Sequence, residues 1–174
     1  MAAPAQANRV PLEVYLRSSW EPDAEYVDGV IEERPMGEYD HSSWQHAIEL
    51  WFAQHAKEWN IRVRPELRVQ VSPNKFRVPD VAILDRNQPI EQIITHPPIA
   101  VIEILSPEDS VSRMMKKLRE YQQMGIQTIL ILDPGGEEHH RFSAFGLAPL
   151  AETSFDLPGS SCRFDLEEIK KLLD

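Results

Sequence analysis

Two acidic side chains lie inside short apolar runs of the sequence. Asp80 directly precedes Val-Ala-Ile-Leu, and Glu103 is flanked by Ala-Val-Ile and Ile-Leu. Acidic side chains are rarely buried unless they are paired or bound to a metal ion, so we expect both carboxylates to converge on one site. A basic helix that carries Lys116 and Lys117 follows the second acid. Two carboxylates and a lysine are the groups needed for metal-assisted hydrolysis of a phosphodiester.

A divalent cation is the expected cofactor of such a site. Held by carboxylates, it neutralises charge in the transition state and lowers the pKa of an attacking water. Hard oxygen ligands favour Mg²⁺ or Mn²⁺ over Zn²⁺. We therefore predict Asp80 and Glu103 as metal ligands, with the backbone carbonyl of Ile104 as a further oxygen ligand.

The helical positions of the two lysines distinguish their expected roles. At about 100° per residue, Met114, Leu118 and Tyr121 define the buried face of the helix. Lys117 lies at the edge of that face, whereas Lys116 points almost directly away from it. We therefore predict that Lys117 reaches the carboxylates and positions or activates the attacking water. The alternative is that both lysines face solvent.

Composition and length indicate a globular protein of 174 residues, 42% hydrophobic and 26% charged. We predict a loose tail over residues 1–10 and a single domain over residues 11–174. The single cysteine, Cys162, excludes a disulfide within the chain and a cysteine-rich zinc site. No apolar run approaches the length of a membrane span, and the first residues lack the apolar core of a signal peptide. These features predict a cytoplasmic protein without membrane contact.

The net charge of −10 argues against strong non-specific binding to nucleic acid, which depends on Lys and Arg. It does not exclude a nuclease, because a bound metal ion and a local basic patch can recruit DNA. Five basic residues do occur in one stretch: Arg62, Arg64, Arg68, Lys75 and Arg77. They form either such a patch or the solvent face of a hairpin.

Hydrophobic periodicity and turn residues predict the order of the elements. The predicted elements are a helix over Pro11–Ser18, a hairpin over Tyr26–Arg34 turning at Asp28-Gly29, a helix over Asp40–Trp59, strands over Ile61–Val71, Phe76–Leu84 and Ala100–Leu105, a helix from Ser106–Asp109 to about Met124, strands over Thr128–Leu132 and His140–Phe145, and a helix over Leu166–Leu173. The core order is αβββαβ. It predicts an α/β (α+β) fold with a mixed central sheet flanked by helices.

These motifs resemble those of the Uma-type restriction endonuclease family, within the PD-(D/E)XK nuclease superfamily. Val78-Pro79-Asp80 is similar to the PD element, and Val101–Pro107 resembles the strand that carries the second acid. The segments Tyr26–Glu33, Lys117–Gly125 and Ile129–Pro134 are similar to the family's opening hairpin, later helix and later strand. The resemblance covers about residues 12–145. It implies a restriction-endonuclease-like core that hydrolyses DNA.

The resemblance also implies roles for individual residues. The superfamily's usual lysine lies two residues after the second acid, where this chain has Leu105; Lys117 matches a variant in which the lysine lies on the following helix. Glu33 is expected to face the site, where it could be an extra metal ligand. His41, which is similar to the histidine that begins the family's first core helix, could act as a proton shuttle or phosphate contact. The alternatives are an exposed hairpin acid and an ordinary helix-start residue.

Three functions remain open from the sequence. The first is a Mg²⁺-dependent DNA endonuclease, expected to be a homodimer because two sites related by a two-fold axis can cut both strands. The second is a catalytically inactive module of the same fold that binds nucleic acid or protein. The third is a metal-dependent hydrolase of small phosphoesters. The adjacent residues His139 and His140 make a poor metal chelate, because neighbours on a strand point to opposite faces. Ser106 lacks a histidine partner for a serine hydrolase.

Overall fold

The computed structural model describes residues 8–136 and 138–173. Its elements are α1 (Leu12–Arg17), β1 (Ala24–Val27), β2 (Val30–Glu33), α2 (Tyr39–Gln54), β3 (Ile61–Pro65), β4 (Val69–Ser72), β5 (Lys75–Arg77), β6 (Val81–Asp85), β7 (Ala100–Ile104), α3 (Val111–Met124), β8 (Thr128–Leu132), β9 (His140–Ser143), β10 (Gly146–Pro149), β11 (Ser154–Asp156), β12 (Arg163–Asp165) and α4 (Leu166–Lys170). Residues 1–7 of the predicted tail lie outside the described residues. Val10 is bonded to the first hairpin through Gly29 and Tyr26.

The strands form a six-stranded sheet in the order β10-β9-β8-β7-β6-β3, a four-stranded sheet in the order β2-β1-β5-β4, and a β11-β12 pair. In the six-stranded sheet β7 and β8 are parallel, and the other neighbouring strands are antiparallel. Helix α3 makes the crossover that a parallel pair requires. The series α2, β3, β6, β7, α3, β8 confirms the predicted αβββαβ core and its mixed sheet.

Two predicted strands are each divided between the two sheets. The segment predicted as Ile61–Val71 breaks after Pro65, where Glu66 has a φ of 49°, and continues as β4 in the four-stranded sheet. The segment predicted as Phe76–Leu84 breaks at Val78-Pro79-Asp80, between β5 and β6. Proline cannot donate a ladder hydrogen bond, which favours a break at both places. The chain therefore leaves the large sheet after β3 and returns to it immediately after Asp80.

Other predicted boundaries shift by a few residues. Helix α2 ends at Gln54 rather than Trp59, and α4 ends at Lys170. Helix α3 begins at Val111 because Ser110 caps it, its hydroxyl accepting from the Arg113 amide at 3.3 Å. The sequence pattern does not predict β10, β11 or β12, which are largely exposed or half-buried and so lack an apolar alternation.

Helices α2 and α3 cover opposite faces of the large sheet. Trp44, Ala47, Ile48 and Phe52 of α2 are buried in one cluster with side chains of β3, β6 and β7. Leu118 and Tyr121 of α3 pack with β7 and β8 in a second cluster. None of the helices in the described part of the chain is both long enough and apolar enough to cross a bilayer.

Candidate functional site

The two predicted carboxylates lie side by side where the two sheets meet. Asp80 directly precedes β6, and Val81 is paired with Ile102 of the antiparallel strand β7, so Asp80 is level with Glu103. Both side chains are buried, with 4% and 3% of their surface exposed. They face a cavity of about 40 Å³. The groups around it include Glu25, Arg34, His41, Asp80, Glu103 and Lys117.

Asp80 is held by three donors. Oδ1 accepts from Nη2 of Arg34 at 2.6 Å and lies 3.3 Å from Nε2 of His41, whereas Oδ2 accepts from the Ile104 amide at 2.7 Å. Burial alone would raise the pKa of Asp80, but the bond from His41 and the charges of Lys117 and Arg34 outweigh it and lower that pKa. The bond to Asp80 raises the pKa of His41 against the effect of burial. Asp80 is therefore a carboxylate in a cationic surrounding.

Glu103 makes both of its close contacts through one oxygen. Oε1 accepts from the Tyr121 hydroxyl at 2.7 Å and lies 2.9 Å from Nζ of Lys117. Burial raises the pKa of Glu103 to about 7; the charge of Lys117 opposes this, and the charges of Asp80 and Glu25 add to it. Glu103 is thus the carboxylate with the least compensated charge in the cavity.

Lys117 enters the cavity from α3, as its position at the edge of the helix's buried face predicts. It is 7% exposed, and Nζ lies 2.7 Å from Oε1 of Glu25 and 2.9 Å from Oε1 of Glu103. Lys116, one residue earlier, is exposed. Burial would lower the pKa of Lys117, but the surrounding carboxylates outweigh it and raise that pKa, so the amine is a cation.

Four charged residues of the cavity are not predicted from the sequence: Glu25, Arg34, Asp109 and Arg113. Glu25 lies in β1 within Ala-Glu-Tyr-Val, and an acid inside an apolar run is the signal that identified Asp80 and Glu103. Nothing in the sequence singles out Arg34. Glu33, the residue expected to face the site, ends β2 with an exposed side chain outside the cavity lining. Successive residues point in opposite directions, so Arg34 takes the place expected for Glu33.

The basic stretch recognised in the sequence does not form one patch. Arg77 is fully buried, and Lys75 lies 3.8 Å from Asp28 and 3.6 Å from Glu120. Arg62 and Arg64 lie two residues apart on β3, an edge strand of the large sheet. The strand breaks thus separate basic residues that are close in sequence.

The geometry bears on metal binding in two ways. Within residues 8–136 and 138–173, no three His, Cys, Asp or Glu side chains are arranged to hold a metal ion. Mg²⁺ is nevertheless usually held by one or two carboxylates together with water and substrate phosphate. Asp80 and Glu103 supply two hard oxygen ligands beside a cavity large enough for an ion or a water. The donor set therefore fits Mg²⁺ or Mn²⁺.

Two solved structures match this chain. A structure described as a putative nuclease belonging to DUF820, from Anabaena variabilis, has a TM-score of 0.80 and 22% sequence identity over 95% of this chain and 99% of that chain. The structure of a DrdV–DNA complex gives a TM-score of 0.41 and 12% identity over 74% of this chain and 11% of that chain. A comparison with curated proteins gave no match.

The 0.80 match and the αβββαβ core define the class of fold as restriction-endonuclease-like. The Uma2 family, described as "Putative restriction endonuclease", matches residues 12–153, more than half of the chain. The chain belongs to this family, as its motifs predict. Membership of this family supports a nuclease role.

Proposed function

We propose that this protein is a Mg²⁺- or Mn²⁺-dependent DNA endonuclease. The observation that carries the proposal is the convergence of Asp80, Glu103 and Lys117, from three separate elements, on one buried cavity. Asp80 and Glu103 would bind the metal ion, with the Ile104 carbonyl as a further ligand. DNA as the substrate is supported by the family that matches residues 12–153.

The charges of the cavity support a role for a cation. The cavity lining contains four carboxylates and three permanent cations: Glu25, Asp80, Glu103 and Asp109, and Arg34, Arg113 and Lys117. Burial raises the pKa of Glu103 to about 7, and the neighbouring charges of Asp80 and Glu25 add to that rise. Both close contacts of Glu103 fall on Oε1, so Oε2 is the atom that would bind a metal ion. When bound, the ion would supply charge neutralisation at the phosphate and a water of lowered pKa.

Three side chains of the cavity would carry out the remaining catalytic and binding roles. Lys117 is a cation, so it would orient the attacking water and stabilise developing charge by donating hydrogen bonds. The attacking water would release one proton to bulk solvent as its oxygen bonds to phosphorus, and the scissile P–O bond would break with its electron pair on the leaving oxygen. His41, whose pKa is raised, would donate the proton which that oxygen requires. Arg113 lies at the cavity mouth with its side chain 38% exposed, in place for a phosphate contact.

The test is cleavage of supercoiled DNA by the purified protein with Mg²⁺, Mn²⁺ or EDTA. We expect metal-dependent cleavage that falls at least about 100-fold in Asp80→Asn, Glu103→Gln and Lys117→Met, because each removes a group that acts in the transition state. Lys116→Met, an exposed lysine on the same helix, is the matched control and should retain activity. A homodimer, which we also propose, should yield linear DNA without accumulation of a nicked form.

Two results would contradict the proposal. Cleavage that survives Asp80→Asn and Glu103→Gln would place the reaction elsewhere. A folded wild-type protein that cleaves no DNA but hydrolyses bis(p-nitrophenyl) phosphate with Mn²⁺ would favour the small-phosphoester hydrolase.

The second candidate function is a catalytically inactive binding module, which the existing contacts of the Asp80 carboxylate favour. Both of its oxygens are already bonded, to Arg34, His41 and the Ile104 amide. In an inactive module these contacts would be permanent. Calorimetric titration with Mn²⁺ distinguishes the two functions. The enzyme must bind Mn²⁺, and Asp80→Asn must abolish that binding, whereas an inactive module needs no bound metal ion.

A further inference from the structure

Lys117 has a carboxylate partner closer than either of the predicted metal ligands. Its Nζ lies 2.7 Å from Oε1 of Glu25, compared with 2.9 Å from Oε1 of Glu103. Glu25 comes from β1 in the four-stranded sheet, whereas Glu103 comes from β7 in the six-stranded sheet. The amine is therefore bound between one carboxylate from each sheet.

Glu25 is itself fixed through both of its oxygens. Oε1 also accepts from the Val78 amide at 2.9 Å, and Oε2 accepts from Nη1 of Arg77 at 2.9 Å. The side chain is 1% exposed. Arg77 and Val78 belong to the segment that leads directly to Asp80, so the backbone that places Asp80 also orients Glu25.

Arg77 connects this arrangement to the helix that carries the lysine. Its side chain is fully buried, and Nε donates to Oε2 of Glu120 at 2.5 Å, while Nη1 donates to Oε2 of Glu32 at 2.8 Å. Glu120 lies three residues after Lys117, about one helical turn away. Helix α3 is thus attached through Lys117 to Glu25 and through Glu120 to Arg77. These two contacts fix where the lysine enters the cavity.

We infer that Glu25, oriented by Arg77, is the positioning residue that keeps Lys117 in place when Glu103 binds the metal ion. The inference rests on the proposed function. A lysine on a separate helix has a long flexible side chain, and an ion bound to Glu103 competes for the charge that attracts the amine. Without Glu25 the amine would lose the closer of its two carboxylate partners. Glu25 is a positioning residue in this proposal because it would act through Lys117 and not on the substrate itself.

The first test measures the chemical reactivity of Lys117 in the metal-free protein. Trace acetylation followed by mass spectrometry gives its rate relative to exposed Lys116 on the same helix. In Glu25→Gln the lysine loses its closer partner, so we expect its relative rate to rise about tenfold or more. Glu32→Gln is the matched control, since Glu32 binds Arg77 but not Lys117, and it should leave the rate near that of the wild type.

The second test measures cleavage kinetics in the same variants. Removing the partner of a ligand or catalytic group commonly costs about 10- to 100-fold, so we expect that loss in kcat for Glu25→Gln with KM for DNA unchanged. Glu25→Asp, which keeps the charge, should recover part of kcat, and it replaces Glu25→Gln in both tests if the latter does not fold.

An unchanged Lys117 labelling rate in a folded Glu25 variant would overturn the inference. So would a loss confined to KM. If the wild-type protein cleaves no DNA, the proposed function fails, and the labelling rates still decide whether Glu25 holds the lysine.

Discussion

At the scale of single residues, the buried amine of Lys117 is tolerated because carboxylates surround it. An unpaired buried ammonium would release its proton or draw water into the cavity. Contacts of 2.7 Å to Glu25 and 2.9 Å to Glu103 instead raise its pKa. The cost of burying these charges is offset only while every partner is present. Removing any one of these partners should therefore lower the free energy of unfolding substantially.

Tyr121 allows a measurement of how much one such contact contributes to stability. Its fully buried hydroxyl donates to Oε1 of Glu103 at 2.7 Å, and Tyr121→Phe removes this bond without changing the shape of the ring. At pH 8 in EDTA Glu103 is ionised, because its pKa is about 7. A bond to a charged acceptor is worth about 1.5–3 kcal/mol, so we expect the free energy of unfolding in urea to fall by that amount.

Tyr26→Phe is the matched control for this measurement. The buried Tyr26 hydroxyl donates to a neutral acceptor, the Val10 carbonyl, at 2.9 Å. A neutral bond contributes about 0.5–1.5 kcal/mol. Equal losses in the two variants would mean that Glu103 carries no charge at pH 8, contrary to the charge distribution derived for the cavity.

At the scale of elements, the sequence predicts what depends on local pattern and misses what depends on sheet pairing. Helical periodicity correctly placed Lys117 at the edge of the buried face of α3, and acids in apolar runs identified Asp80 and Glu103. A proline at 65 or 79 indicates a break in a strand, but not that the chain changes sheets there. Membership of a sheet is set by hydrogen bonds to distant strands, which no local pattern encodes.

The segment between β8 and β9 contains a buried histidine with a defined protonation state. Nδ1 of His139 accepts from the Asp133 amide at 3.0 Å, and its ring lies 5.2 Å from that of Trp44 in α2. Burial, with the charges of Lys170 and His140, lowers the pKa of His139 below its usual 6.5, against the charge of Asp133. The folded state therefore favours the neutral ring.

This histidine should make stability depend on pH. Below about pH 6.5 His139 binds a proton in the unfolded chain more readily than in the folded chain. The contribution of the neutral ring to folding stability is therefore present above that pH and is lost as the pH falls. Between pH 7.5 and 5.5 we expect the wild type to lose more unfolding free energy than His139→Gln, which can accept the same bond without titrating. Parallel urea-derived pH profiles of the two proteins would rule out this role.

At the scale of the whole molecule, the candidate site exists only where the two sheets meet. The six-stranded sheet and the segment leading into it supply Glu103 and Asp80, the four-stranded sheet supplies Glu25, α2 supplies His41 and α3 supplies Lys117. Lys117 joins the two sheets through its ion pairs with Glu25 and Glu103. Arg77 of the four-stranded sheet joins that sheet to α3 through Glu120. The same contacts therefore stabilise the fold and orient the site.

The overall charge predicts that the metal ion contributes to DNA binding as well as to cleavage. A chain with net charge −10 and four carboxylates lining its cavity should repel the phosphates of a duplex. We expect fluorescence anisotropy with a short labelled duplex to show binding at least about tenfold weaker in EDTA than in Ca²⁺ at low salt. Asp80→Asn removes one of the repelling charges, so in EDTA it should bind the duplex more tightly than the wild type although it no longer cleaves. Equal affinities of wild type and variant in EDTA would show that DNA binds away from the cavity, on a surface whose charge is independent of Asp80.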